Sequence, residues 1–474
     1  MKHPPPKMYN HRLFSFLAIM PILALGIFNG CSSDYSANIQ EEIFIPSKPP
    51  IRETPQAIPE LFIYTKGKVR KEDTEAYFYF FDASKHFSTF SSTDNFESPG
   101  YIKVRGNSTA TSPKKPYNIK FENKIDFFGM GKAKKWALLS NPFDPTLIRN
   151  KLIYDLASNL SFIYSQESYF IDVWVNDSFM GNYQIAEKVE FQKHRIPYDV
   201  DNGDYLFELV DSEKRNKADV IYFQTPVKNL RITLTEPEEP SSEQMDDFQK
   251  KMERIEKAIA SKDFSEYVKY VDLKSMIDYY WVEEFVNDPD LHTGSLFFTI
   301  HDGIMRGGPV WDFDLSLGNT QSEDKASTEG FNAQKYWWRE LFQDPTFQKI
   351  AYERYLQIEP YFDNLANDND LGKNKIDSLL NYFGESFQRN YSDSGWAYCD
   401  TLNEDAQNKR QLTCPYNPIP QPTFDENILY LREWITQRNK YIKETASRRL
   451  RNLKDVELSL DRALEIQDSI FASD

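Results

Sequence analysis

The sequence predicts an α+β fold, rich in strands over its N-terminal part and mostly helical over its C-terminal part. Three observations lead there. Short runs of Tyr, Phe, Val and Ile, the strand-forming types, recur from residue 61 to about 235. Beyond Glu236-Pro237-Glu238-Glu239-Pro240 the apolar residues recur at helical spacing instead. With 40% hydrophobic and 15% aromatic residues among 474, there is ample material for a core spread over two or three folded units.

The first thirty residues read as a leader. Lys2, Lys7 and Arg12 precede an apolar run from Leu13 to Phe28, and Gly30-Cys31 follows. A basic start and an apolar stretch too short for a comfortable membrane span make a secretory signal. Gly30-Cys31 resembles a bacterial lipoprotein cleavage box, so residues 1–30 are expected to be removed and Cys31 to carry the lipid; an uncleaved anchor helix is the alternative. Ser32-Ser33-Asp34 resembles the surface-export signal of Bacteroidetes lipoproteins. The expected location is extracytoplasmic, in the periplasm or on the outer cell surface, anchored to the membrane through the N-terminal lipid. Residues 31–60, with Ile45-Pro46-Ser47-Lys48-Pro49-Pro50, form a proline-rich tether. Without the leader the chain carries 53 Lys and Arg against 72 Asp and Glu, which excludes nucleic acid as an expected partner. Cys399 and Cys414, the other two cysteines, are expected to pair in an oxidising compartment, closing a loop worth about 3 kcal/mol of chain entropy. Two free thiols are the alternative.

Leu61-Phe62-Ile63-Tyr64 opens the globular part. Strand signals follow at Ala76 to Phe81, Tyr101 to Arg105, Tyr117 to Phe121, Tyr169 to Val175, Tyr183 to Val189, Tyr205 to Val210 and Leu230 to Leu234. One helix interrupts them: Asp144-Pro145 offers a cap and a first-turn proline, and Ile148, Leu152, Leu156 and Leu160 follow at helical spacing. Residues 61–235 are thus expected to form a β-rich lobe. In the helical lobe, 236–474, Ser241 and Gln244 make a capping box, and Met245, Phe248, Met252, Ile255 and Ile259 form one apolar stripe of core residues. A helix from about Leu273 to Val286 leads into an aspartate loop. The last helices start near Asp425, with Ile428, Leu431, Ile435, Arg438 and Ile442 on one face.

The chemistry concentrates near residue 300. Pro309-Val310-Trp311-Asp312-Phe313-Asp314-Leu315 sets two carboxylates at i and i+2 in an apolar run. In an extended segment that spacing points both to one face, where they repel unless a cation lies between them. Upstream stand Asp288, Asp290, His292 and Ser295, then a His301-Asp302-Gly303 turn and Gly307-Gly308. A loop aspartate, a hairpin, then a metal-binding aspartate beside a Phe is the order of catalytic parts in a protein kinase. Two basic strands add anion-binding potential: Lys103 and Arg105 share one face, Asn118 and Lys120 another, and the loop between supplies donors for a triphosphate. A solvated basic hairpin is the plainer reading. Glu187 has the parity of Tyr183 and Ile185, so it requires a cation if that face is buried. Lys115 or Lys120 is the natural partner, either gripping phosphates or making a structural salt bridge. With no His-Glu-x-x-His and few cysteines, zinc hydrolase chemistry is not expected.

Together these residues resemble the CotH, or spore-coat-H, kinase family. The matching pieces are Arg105-Gly106-Asn107-Ser108-Thr109, Lys114-Lys115-Pro116-Tyr117, Trp136 to Asn141 with Asp144 and Arg149-Asn150, Gly181-Asn182-Tyr183 with Glu187, and Gly308 to Asp314 with Gly318-Asn319. The resemblance implies an atypical protein-kinase-like fold, ATP with Mg²⁺ or Mn²⁺, and phosphorylation of Ser or Thr on secreted or surface proteins. It implies Asp290 as catalytic aspartate, and Asp312 with Asp314 as metal ligands. Ser295, where many members carry asparagine, takes the second metal position. Arg105, Lys115, Lys120 and Glu187 are the implied nucleotide contacts. Two other readings stand beside it: a catalytically inactive kinase-fold scaffold or adhesion module using the aromatic segment Tyr336-Trp337-Trp338, and adenylyl transfer on the same fold.

Overall fold

The computed structural model describes residues 44–49, 58–82, 94–210, 220–292, 294–320, 322–394, 396–397, 410–411, 421 and 423–472. Cys31, Cys399, Cys414 and the leader lie outside the described residues. Most strands lie in the N-terminal half and most helices in the C-terminal half, with helix Arg149–Ala157 and the strands Leu296–His301 and Ile304–Gly307 as exceptions, so the protein is α+β.

The N-terminal strands are β1 (Glu60–Thr65), β2 (Thr74–Phe81), β3 (Phe96–Val104), β4 (Tyr117–Asp126) and β5 (Lys132–Leu139). After helix α1 (Arg149–Ala157) come β6 (Ser168–Val175) and β7 (Ser178–Ala186). They close into a barrel in the order β1-β2-β3-β4-β5-β7-β6, sealed by parallel pairing of β6 with β1. Alternation sends Phe78, Phe80, Ile102, Ile119, Phe121, Trp136 and Leu138 into the core. Aromatic edges fill it, with Phe78 and Phe121 centroids 4.8 Å apart and Phe127 against Trp136 at 5.1 Å. Strand β5 carried no strand signal because lysines occupy three of its first four positions. Helix α1 starts at Arg149, not behind Asp144. The Asp144 carboxylate instead accepts the Thr146 and Arg149 amides at 2.9 and 2.8 Å, which ties the approach to the helix.

Next come β8 (Tyr205–Leu209), β9 (Phe223–Gln224), β10 (Arg231–Glu236), α2 (Ser242–Ser261), α3 (Phe264–Tyr267) and α4 (Leu273–Val286). The hairpin β11 (Leu296–His301) and β12 (Ile304–Gly307) follows. A second sheet runs β12-β11-β8-β10-β9, so strands β8 to β10 pair with the hairpin after α4 and not with the barrel. The capping box of Ser241 and Gln244 is formed. Helices α5 (Glu323–Ala326), α6 (Tyr336–Leu341), α7 (Pro345–Asp363), α8 (Lys375–Ser392), α9 (Phe424–Asn452) and α10 (Leu460–Phe471) complete the described chain. Helix α4 is buried on every face, Asp278, Glu283 and Glu284 included, as its central place requires. Trp337 and Trp338 are each 1% exposed, their indole N–H groups donating to Glu256 and to the Met276 carbonyl. Trp337 and Trp338 are therefore core and Tyr336 is half-buried, which corrects the alternative reading of this segment as a binding surface. Among the described residues no helix is long and apolar enough to cross a membrane.

Candidate active site

Where α4 ends, Asn287 turns left-handed (φ 49°) and its amide donates to the carbonyls of Asp324, Lys325 and Ser327. Arg438, fully buried on α9, donates to the Phe285 and Glu284 carbonyls and to those of Thr328 and Gly330. These bonds hold the next residues as a tight turn, in which the Asp288 side chain accepts the Asp290 amide at 2.9 Å. Asp290 is half-buried and faces a cleft of about 340 Å³.

The second aspartate segment is not the extended strand that its spacing implied. It is irregular, and Asp312 is left-handed at φ 72°, an uncommon conformation for a residue with a side chain. Its neighbours fix it from the barrel side. The Asn150 side chain accepts the Phe313 amide at 2.7 Å, Arg149 donates to the Ser316 carbonyl at 3.1 Å, and Asn319 bridges the Asp314 and Phe143 carbonyls at 2.6 and 2.8 Å. Arg149 is itself held by Asp144 at 2.5 Å. Asp144, Arg149-Asn150 and Asn319 thus form the frame of the Asp312 loop, and Asp312 and Asp314 line the same cleft as Asp290.

Of the residues picked out in the sequence, the structure brings Arg105, Asp290, Ser295, Asp312 and Asp314 together around this cleft. Ser295 (φ 67°) sets its hydroxyl 3.3 Å from the Asp312 carboxylate. Arg105 stacks on Trp311 at 5.1 Å. Lys115, Lys120 and Glu187 do not line it. The Lys115 ammonium folds back onto the Ala110 and Ser112 carbonyls at 2.9 and 3.0 Å, closing the β3–β4 loop. Lys120 is exposed beside Tyr101. Glu187 is buried as its parity required, but its cation is Arg195 at 3.3 Å rather than either lysine. Tyr164 and the Glu167 amide also donate to Glu187, at 2.7 and 3.1 Å.

Sequence reasoning missed Glu208 and the role of Asn118. Glu208 on β8 lines the cleft and accepts the Ser295 amide at 2.7 Å. The signal was there: Leu206 and Val210 share its parity and are buried, so a charge between them needed a reason. Asn118 lines the cleft with a buried Oδ1 that accepts no hydrogen bond from the described residues.

The electrostatics are lopsided. Burial pushes the Asp314 carboxyl well above the usual range, and the charges of Asp312, Asp144, Asp290 and Asp288 add to the push. Burial, then Asp290, raises Asp288 to about 8. Desolvation draws the Arg105 guanidinium down while Asp312, Tyr154 and Asp314 support it. Such an excess of negative charge is the donor chemistry of a divalent-cation site. Among the described residues no three His, Cys, Asp or Glu side chains gather as an all-protein metal cage.

A scan against protein-family models matches residues 102–442 to the CotH kinase protein family. The chain belongs to the CotH kinase family. The matched span begins in the last three residues of β3 and covers both aspartate loops and Arg438, so the frame around the cleft lies within it. A search among curated proteins finds no match.

Proposed function

We propose that this CotH kinase family member is an extracytoplasmic, lipid-anchored protein kinase that transfers the γ-phosphate of ATP to Ser or Thr hydroxyls of secreted or surface proteins. The observation that carries the reading is the convergence of Asp290, Asp312, Asp314 and Arg105 on one cleft. Asp312 and Asp314 would hold Mg²⁺ or Mn²⁺, which neutralises phosphate charge and polarises the transferring group. Arg105, stacked on Trp311, would supply a cation for the phosphates. Asp290 sits on a turn pinned by Asn287 and Asp288 and would accept the proton of an acceptor hydroxyl. The Gly106 backbone (φ 84°) supports the neighbouring loop, where a Cβ would lie 2.2 Å from the Thr109 hydroxyl oxygen.

Mass spectrometry after incubation with ATP and Mg²⁺ or Mn²⁺ tests this. Addition of one phosphate to the protein or a generic acceptor is the expected result. Addition of AMP would replace phosphorylation by adenylyl transfer, and no transfer by a protein that binds ATP would favour the scaffold.

A further inference from the structure

Strand β11 pairs with β8 from Leu296, opposite Leu209, and Phe297, opposite Glu208, onward. Continued one residue towards the chain start, the ladder would set Ser295 opposite Val210. It ends at Leu296 instead: Ser295 turns left-handed at φ 67°, and its amide donates to Oε1 of Glu208 at 2.7 Å. Left-handed backbone is an uncommon state for a serine, and the half-buried Glu208 carboxylate takes the amide that the ladder leaves over.

Held in this turn, the Ser295 hydroxyl lies 3.3 Å from Oδ2 of Asp312. Asn150 fixes the backbone of the Asp312 loop at the Phe313 amide, and Ser295 addresses the carboxylate from the β11 side. Glu208, Ser295, Asp312 and Asp314 all line the one cleft. Asp312 is among the like charges that bear on Asp314, and carboxylates that repel turn apart unless donors hold them. A group that orients a ligating carboxylate from behind therefore decides how well the pair receives a cation.

We propose that Glu208 is a positioning residue for the cation of this site, acting through Ser295 on the Asp312 carboxylate. This rests on the assignment of Asp312 to the metal in the function proposed above. No bond is made or broken at Glu208; it sets geometry.

The test is Mn²⁺ titration followed by electron paramagnetic resonance, with and without ATP, on wild type, Glu208→Gln, Glu208→Ala, Ser295→Ala and the double variant Glu208→Ala with Ser295→Ala. Glu208→Ala should lose roughly 10- to 100-fold in Mn²⁺ affinity, the range for removing a group that orients a metal ligand. Glu208→Gln, whose carbonyl can still accept the Ser295 amide, should stay within about threefold of wild type. Ser295→Ala should lose about as much as Glu208→Ala, and the double variant little more than either, since both act on the same carboxylate. Unchanged affinity in Glu208→Ala overturns the proposal, and so do losses that simply add in the double variant. Equal losses in Gln and Ala overturn it too, because the charge of Glu208 and not its bond to Ser295 would then be what matters. If Glu208→Ala does not fold, Ser295→Ala decides, and wild-type Mn²⁺ affinity there overturns the proposal. Wild type that binds Mn²⁺ but not ATP, with the expected pattern among the variants, keeps Glu208 in this role and removes the nucleotide reading. Wild type that takes up no Mn²⁺ overturns both.

Discussion

Two acidic clusters in this protein are both buried and yet opposite in character. At Glu187 every attraction is closed within the chain. Burial raises the carboxyl to about 7, and Tyr164, the Glu167 amide and Arg195 each pull it back. At Asp314 burial is joined by four other carboxylates, all pushing the same way, and the neighbouring cation Arg105 is itself desolvated. The first arrangement is self-sufficient and reads as structure. The second is unfavourable as it stands, and a protein retains such a cost where a ligand relieves it. The difference separates a carboxylate that holds the fold from carboxylates that, on the function proposed above, would take a cation.

The comparison can be broken most severely by catalysis. Asp290→Ala should lower phosphotransfer by roughly 10²- to 10⁴-fold while ATP affinity stays within a few-fold of wild type, because a hydroxyl-orienting base acts chiefly in the transition state. Single-turnover kinetics alongside binding would separate the two, and equal losses in both would make Asp290 a binding residue.

The next effect belongs to the closed cluster. Arg195→Met leaves Glu187 and Glu190 without their common cation, and chemical denaturation should show a loss of about 3–5 kcal/mol. A change below about 1 kcal/mol would mean that the cluster is not closed in the way described.

A third, smaller effect is a pH slope. Glu187 has a folded pKa of about 7 against an ordinary 4.5, so the folded state keeps a proton that the unfolded chain has released. Its contribution therefore favours the fold below 4.5, fades as pH rises, and levels off above about 7, a span of about 3 kcal/mol. Denaturation midpoints of Glu187→Gln across this window should lack that component.

The smallest effect sharpens the contrast from the other side. Asp314→Asn removes one like charge from the open cluster, so the ligand-free protein should become more stable by about 1 kcal/mol, and the gain should grow with rising pH. Destabilisation would show that the Asp314 carboxylate has a structural partner.

What the sequence made legible follows from local physics. The Ser241 capping box, the α2 stripe, the His301-Asp302-Gly303 turn and the burial of Glu187 all depend on neighbours in the chain, and all appear in the structure. So does the gathering of Asp290 with Asp312 and Asp314, whose residue types are chemically unusual for their apolar surroundings. What failed depended on contacts between distant residues. The cation for Glu187 is Arg195, which no strand parity could select over Lys115 or Lys120. The left-handed Asp312 is imposed by a frame that includes Asn150, 162 positions earlier, and strand pleat alone could not anticipate it. Trp337 and Trp338 looked available because aromatic pairs serve surfaces and cores alike; their burial comes from packing under α2 and α4.

Thermal unfolding with and without ATP and Mn²⁺, in wild type and Asp312→Asn, tests the central claim most directly. At a hundredfold excess of ligand over Kd, wild type should gain about 2.7 kcal/mol of stability from binding, visible as an upward shift in Tm. Asp312→Asn should fold normally and show no such shift, because it keeps the loop and loses the metal ligand. An undiminished shift in Asp312→Asn would place the cation elsewhere and contradict the account.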